Sequence, residues 1–349
     1  MKIAVIGAGA AGSSAARFLS KAGHQVDVFE QFELGHSRGS SHGTSRIIRK
    51  SYTDPYYSGL MNEIYPLWRE LEEEAGEQLY VETGVLVFGK YNSQWLHDIR
   101  QSLNHERIPF EPIGHIEVAR RFGGFHIDPD EEAIFQPEAG FLKADEVIRA
   151  NLRIAEANGA TIHANTYADA KPDGTVNGEQ YEAVAICAGA WVNKIAGLSL
   201  EPRLQHFAYF DAPIQKDIPV WIDSCEEHYY GFPDYGRGFK IGRHLYGPIV
   251  DPDSPERAPD PNVVADIAAS ARKRLGANDV NEAFTCLYTV APNEDFRIGQ
   301  LKWEVPAYFV SGCSGHGFKF TVWFGKLLLD LIEGTKLVTD FPRFLSEDI

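Results

Sequence analysis

Ile3-Ala4-Val5-Ile6-Gly7-Ala8-Gly9-Ala10-Ala11-Gly12 opens the chain, and the reading of this stretch decides the fold. The apolar run has the character of a strand buried on both faces of a parallel sheet, and glycines follow it at Gly-x-Gly-x-x-Gly spacing. Ala11 to Lys21 is rich in helix formers, Gly23 stands where a helix closes, and Gln25 to Glu30 reads as a second strand. Gly7 permits the tight turn, Gly9 lets backbone approach a pyrophosphate, and Gly12 lets helix pack on strand, with the helix N-terminus adding partial positive charge. Glu30, 18 residues beyond Gly12, is placed to accept hydrogen bonds from a ribose and would repel a 2′-phosphate. The glycine spacing alone is weak. Framed by strand, helix and acid, it predicts an adenine dinucleotide site without saying which dinucleotide.

Outward from this unit, Asp54-Pro55 has the form of a helix start, and Leu60, Met61, Ile64, Leu67, Trp68 and Leu71 recur at helical spacing up to Gly76. Leu79 to Phe88 reads as strand broken at Gly84, Ala144 to Asn158 as a helix stopped by Gly159, and Ala183 to Cys187 as a buried strand entering Ala188-Gly189-Ala190-Trp191. Arg203 to Val250 alternates aromatic and polar residues, as an antiparallel sheet does. Asp251 to Asp260 is an exposed loop ahead of a helix from Val263 to Leu275. Strand-helix units at both ends of a sheet-rich middle predict an α/β (α+β) fold. A discontinuous nucleotide domain takes residues 1–78, 139–202 and 290–349, and is interrupted by a substrate domain over 79–138 and 203–289.

Composition excludes several functions. With 44% hydrophobic and 23% charged residues, the 349-residue chain is long enough for two domains with their own cores. Its net charge of -16 offers no basic surface for a nucleic acid. Cys187, Cys225, Cys286 and Cys313 lie far apart without zinc-ligand spacing, so neither a metal site nor a disulfide scaffold is expected. Met1 to Leu19 could pass for a signal peptide, but its glycines and its continuation into helix and strand argue otherwise. No later segment reaches the roughly 20 apolar residues of a membrane span. A cytoplasmic protein, monomeric or a small homo-oligomer, is expected.

Three clusters carry chemistry. Arg38 to Lys50 concentrates cations and donors just past the second strand, where the bland reading is a solvated basic loop. Tyr229-Tyr230-Gly231-Phe232-Pro233 to Lys240-Ile241-Gly242-Arg243-His244 could be a surface hairpin. Tyr308 to Lys319 is a strand running into a glycine turn ahead of the apolar helix Val322 to Ile332, whose N-terminal dipole could hold an anion.

These motifs, together with Cys286-Leu287-Tyr288-Thr289, occur in an order that resembles the monomeric sarcosine oxidase family, which includes N-methyltryptophan oxidase and the peroxisomal sarcosine and pipecolate oxidases. The likeness covers nearly the whole chain, and the run from His36 to Lys50 looks closest to the pipecolate and sarcosine branch. It implies a Rossmann-like FAD-binding domain of the D-amino-acid oxidase type, interrupted by a mainly antiparallel substrate domain. It implies oxidation of a small secondary amine by hydride transfer to flavin N5, with O2 returning the flavin to its oxidised form and giving H2O2.

By the same resemblance the FAD is bound by Gly7, Gly9, Gly12, Glu30, Ser41, His42, Thr44, Ala188, Gly189, Trp191, Gly315, His316, Gly317 and Lys319, and is attached covalently through Cys286. Residue pattern alone does not separate Cys286 from the other three cysteines. Arg49 and Lys319 match the substrate carboxylate ligands, a planar fork and a point charge. Arg46 matches a residue against the flavin, Lys240 a lysine that promotes electron transfer to oxygen, and Tyr230 and His244 residues lining the substrate side. A structural histidine is the plain alternative for His244. Since hydride departs only from a neutral amine, activity should rise with pH.

The chain departs from the family in being shorter, with Lys171-Pro172-Asp173-Gly174 making a tight turn within Asn165 to Gln180, and in having Gly299 where relatives carry an acid. Ser346-Glu347-Asp348-Ile349 is not a peroxisomal address. Oxidation of larger amines such as fructosyl amino acids, an FAD-dependent amine dehydrogenase, an NAD-linked dehydrogenase and a non-catalytic flavin binder are the alternatives.

Overall fold

The computed structural model describes residues 1–225 and 228–345. The four terminal residues on which the targeting expectation fell lie outside the described residues.

Every strand of the opening unit pairs with a segment distant in sequence. Lys2–Ile6 runs parallel to Gln25–Phe29 on one side and to Ala183–Ile186 on the other. Thr161–His163 and Ala307–Ser311 extend this parallel sheet outward, and Arg297–Gln300 closes one edge antiparallel, making six strands. Alternation sends Ile3, Val5, Val26 and Val28 to one face, against the helices Ala10–Lys21, Ala144–Ala157 and Thr321–Ile332; Ala4, Ile6, Ile186 and Phe309 line the other. Two-sided burial is why these strands read as unbroken apolar runs.

An eight-stranded sheet forms the second layer, ordered from Val280–Val290 through Glu201–Phe210, Phe239–Arg243, Tyr229–Gly231, Val220–Asp223, Val85–Lys90 and Glu131–Gln136 to Glu111–Gly114. Its pairings are antiparallel except one, Val220–Asp223 beside Val85–Lys90, which joins two halves from distant parts of the chain. Leu86, Phe88, Trp221 and Ile241 pack on Ile267, Ala271 and Leu275 of the helix Pro261–Leu275. Arg46–Ile48, Gly140–Leu142 and Tyr80–Glu82 form a small third sheet, which holds the basic cluster in place.

Local signals set the helix ends. Asp54 accepts the amide of Tyr56 at the start of Pro55–Ala75, and Gly76 closes that helix in the left-handed conformation. The turn read at Lys171 to Gly174 is present, with the Gly174 amide donating to the Lys171 carbonyl at 2.9 Å ahead of a two-stranded hairpin. At Gly299 the ring of Phe309 fills the space a side chain would take, 2.5 Å from where a Cβ would lie.

Among the described residues no helix is long and apolar enough to cross a membrane, and no cluster of three His, Cys, Asp or Glu could hold a metal. All four cysteines are free.

The eight-stranded layer contains a buried ionic knot. Arg274, 2% exposed, meets Glu131 through two hydrogen bonds of 2.7 and 3.0 Å and Asp223 at 2.6 Å. Removing the guanidinium strands two buried carboxylates, so Arg274→Met should lower stability by about 3–5 kcal/mol. Urea denaturation checks this, and an unchanged midpoint would mean that water reaches the acids.

Candidate active site

The chain's cations and glycines meet at two adjoining cavities. The first is a crevice past the C-terminal ends of Lys2–Ile6, Gln25–Phe29 and Ala183–Ile186, where Gly7 to Ala11, Glu30, Ser41, His42, Ala188 to Trp191, Gly315 and Gly317 line it. Gly7 has φ of 99°, and a Cβ there would lie 2.5 Å from the Cys187 carbonyl oxygen. A Cβ on Gly12 would lie 1.8 Å from the Gly7 carbonyl oxygen, so the helix Ala10–Lys21 sits this close to its strand only with glycine there.

Ser41 Oγ accepts the Ala10 amide at 3.1 Å, tying the basic segment to the helix N-terminus. Glu30 is buried, and its carboxylate accepts the amides of Ala8 at 3.0 Å and Phe32 at 3.1 Å, with His36 Nε2 at 3.4 Å. Burial pushes its pKa up, but His36 and the Ala8 amide outweigh burial and hold it below its ordinary value. An ionised acid beside amides at a helix N-terminus fits a ribose and pyrophosphate, the adenosine end of FAD.

The second cavity, about 510 Å³, shares Ser40, Arg46, Tyr288, Gly315 and Phe318 with the first. The two adjoin along these residues, an arrangement that suits a dinucleotide with a ring system at one end. Around the second cavity stand Arg49, Tyr52, Tyr230, Lys240, His244, Cys286 and Lys319.

The cations here are held by neutral oxygen. Arg46 donates to the carbonyls of Ser45, Ser40 and His42 at 2.8, 2.7 and 2.6 Å. Lys240, 3% exposed, donates to the Ser45 carbonyl at 3.0 Å and lies 4.6 Å from the Phe207 ring centre. Lys319, 5% exposed, donates to the Tyr52 hydroxyl at 3.0 Å and the His316 carbonyl at 2.8 Å. The Arg49 guanidinium lies 4.2 Å over the Tyr52 ring, and its buried Nη1 has no hydrogen-bond partner. Among the described residues no carboxylate lies within 4.0 Å of any of these four cations. Burial lowers the pKa of Lys240 well below the ordinary lysine value, with Arg46 adding to it; burial and Arg49 do the same to Lys319.

Burial also keeps the histidines neutral. His244 is pushed down to about 4 by burial, then by His228, Arg49 and Lys319; His42 falls to about 3 through burial, Arg46 and Lys240. Burial raises the Tyr230 hydroxyl to about 12. Cys286, buried on the strand Val280–Val290 opposite Gln205, has its thiol raised by burial and lowered by Arg46 and Lys240.

Thr44 and His316, expected at the cofactor, lie outside the nucleotide crevice. Thr44 Oγ1 bonds the Tyr209 hydroxyl at 3.0 Å and lines neither large cavity. The His316 ring stacks on Phe296 with centres 4.8 Å apart and borders the second cavity instead of the nucleotide crevice. Trp191 lines the crevice while donating Nε1–H to Asp253 at 2.6 Å.

Sequence reasoning missed Tyr52, which joins Arg49 to Lys319, and gave no role to Tyr288, which walls both cavities. Position three residues after Arg49 was the only pointer to Tyr52.

Fold and site together define an FAD-dependent oxidoreductase: residues 2–331 match the DAO family, described as FAD dependent oxidoreductase, and the chain belongs to it. Within that family it is of the sarcosine oxidase type, acting on CH–NH donors. It is 31% identical to a monomeric sarcosine oxidase of Bacillus sp. (strain NS-129), over 98% of this chain and 95% of that protein. Peroxisomal sarcosine oxidase of Homo sapiens is 30% identical over 94% of this chain and 90% of its own. N-methyl-L-tryptophan oxidase of Citrobacter koseri is 28% identical over 97% and 96%. Among solved structures, NikD, an unusual amino acid oxidase essential for nikkomycin biosynthesis, superposes with a TM-score of 0.86 at 24% identity over 98% and 96% of the two chains, and shares the fold.

Cations with no carboxylate paired to them can take one from a ligand, and the lowered pKa of Lys319 gives that binding a pH dependence. Lys319 loses its proton as pH rises through the lowered value, so positive charge, and with it carboxylate affinity, falls with pH. Titrating the holoenzyme with propionate and following the flavin spectrum should show a Kd that rises with pH. Lys319→Met should bind weakly at every pH, and an equally steep profile in that variant would assign the titration elsewhere.

Proposed function

We propose that the chain oxidises a small secondary amino acid of the sarcosine, N-methyl amino acid or pipecolate and proline type, using O2 as electron acceptor. In this reading residues 1–78, 139–202 and 290–349 hold FAD and also supply Arg49 and Lys319 to the amine, whose remaining wall comes from residues 79–138 and 203–289. The supporting observation is the pair of cations, half-buried Arg49 and buried Lys319, linked through Tyr52 and facing the cavity without a carboxylate of the protein's own in contact. An amino acid carboxylate completes that arrangement, and a simple amine does not.

The roles follow from placement. Arg49 presents a planar fork to the carboxylate and Lys319 a point charge, which fixes the substrate's orientation. Fixed positive charge lowers the pKa of the bound amine, and His244, neutral above about 4, can accept a hydrogen bond from its nitrogen. Tyr230 packs at the same wall. The chemistry FAD supplies when bound is acceptance of hydride and return of the electrons to dioxygen. Lys240 is the buried cation positioned to stabilise negative charge on dioxygen as it is reduced, and Arg46 is held rigid by three carbonyls beside it. Cys286, flanked by Arg46 and Lys240, is the proposed covalent attachment point.

The cavity's volume also admits longer substrates, so oxidation of fructosyl amino acids is the second reading. Peroxide release across sarcosine, pipecolate, proline and a fructosyl amino acid separates the two, with turnover of one of the first three expected. Turnover of the fructosyl compound alone would transfer the assignment to the second reading. Acid-precipitated enzyme on a denaturing gel should retain flavin fluorescence in the protein band, and Cys286→Ala should release it; fluorescence persisting in the variant would move the attachment site.

A further inference from the structure

A third and much smaller cavity adjoins Lys240. It shares Ser45, Phe232 and Lys240 with the substrate cavity, and none of Arg49, Tyr52, His244 or Lys319 lines it. Phe141, Tyr209, Pro233 and Tyr235 supply much of its remaining wall. At one end is Tyr235, 49% exposed, and at the other Lys240, 3% exposed. Its volume of about 10 Å³ suits a single small molecule.

Of the polar groups around this space, Thr44, Tyr209 and Arg237 are already partnered. Thr44 and Tyr209 bond each other at 3.0 Å. Arg237 pairs with Glu282 at 2.6 Å and lies 4.8 Å over the Tyr209 ring. Lys240, with one hydrogen bond to Ser45, is the wall group that keeps free donors, and the aromatic remainder favours an uncharged, weakly hydrogen-bonding guest that can meet that ammonium. Of the charged groups lining it, Arg237 is paired with Glu282, which leaves Lys240 for a carboxylate and nothing for an ammonium, so desolvating a zwitterionic amino acid there is costly. The clamp residues open on the larger cavity only.

We propose that this vestibule is the entry for dioxygen, leading from Tyr235 at the surface to Lys240, separate from the mouth that admits the amine. The inference rests on the reading of Lys240 as the cation beside which dioxygen is reduced. The overall reaction balances as amine plus O2 giving imine plus H2O2: the CH–NH unit loses two electrons and two protons, and dioxygen gains them. Two routes let both substrates reach the centre without one displacing the other. Tyr235 is the adjustable part, since its exposed ring meets Phe141 edge-on with centres 5.2 Å apart and the Lys143 ammonium lies 5.3 Å over it.

Crystals of the holoenzyme under xenon pressure should show xenon between Phe141, Phe232 and Tyr235, a readout that does not depend on turnover. Tyr235→Trp, at a half-exposed position, should expel the xenon and lower the second-order rate constant for reoxidation by O2 several-fold, with anaerobic reduction by the amine unchanged. Tyr235→Ala should keep the xenon and a reoxidation constant at least equal to wild type. Xenon confined to the amine cavity, or a wild-type reoxidation constant in Tyr235→Trp, overturns the entry route. Lys240→Met tests the underlying reading separately: wild-type reoxidation in that variant removes Lys240 and the proposal with it, whereas slow reoxidation combined with failure of the xenon and Tyr235 tests removes the vestibule alone.

Discussion

Holding positive charge out of water without a directly paired carboxylate is the constraint around which this structure is arranged. An ion taken out of water loses several kcal/mol of solvation even after its surroundings relax. In a chain with 49 acidic and 33 basic residues, carboxylates are abundant, yet Arg46, Arg49, Lys240 and Lys319 are given backbone carbonyls, a tyrosine hydroxyl and aromatic faces. Neutral oxygens solvate a cation without cancelling its field. The positive potential is therefore kept for whatever enters from outside.

Arg274 shows the opposite arrangement with the same kind of side chain. It meets two carboxylates in the core of the eight-stranded sheet, and its charge is spent within the fold. Partners, more than burial or residue type, separate a cation that braces the structure from one that can receive a ligand. Holding carbonyls in place for the second kind needs rigid backbone, and the segment from Ser40 to Arg49 is fixed by Ser41 at the helix N-terminus, by the Asp145 carboxylate on the Gly43 amide and by pairing of Arg46–Ile48 with Gly140–Leu142.

The nucleotide unit was legible because its signals are local: an apolar run, a glycine turn, a helix with its stop and an acid all fall within the first 30 residues. The helices beginning at Pro55 and Pro261 were readable for the same reason, since caps act within one turn. Pairing across long separations was not. Nothing near Val220 announces that it lies parallel to Val85 inside an otherwise antiparallel sheet. The motifs marked the neighbourhood of the site but not the direction of each side chain, so Thr44 was expected at the cofactor and faces Tyr209, while Tyr52 carried no signal although it joins the two clamp cations. Cys286 stood out only through resemblance; its placement near Arg46 and Lys240 is a tertiary fact.

The order of strands in the six-stranded sheet bears on biosynthesis. Lys2–Ile6, made first, takes its second neighbour from Ala183–Ile186, which in turn needs Ala307–Ser311. During translation the opening strand-helix-strand unit emerges with one edge of Lys2–Ile6 unpaired, and roughly half of the 349 residues must be made before that edge is covered. Contacts of such long sequence separation form slowly, and an apolar open edge is prone to wrong partners in the meantime. The sheet that binds the nucleotide is therefore complete only once Ala307–Ser311 and Arg297–Gln300 have joined it.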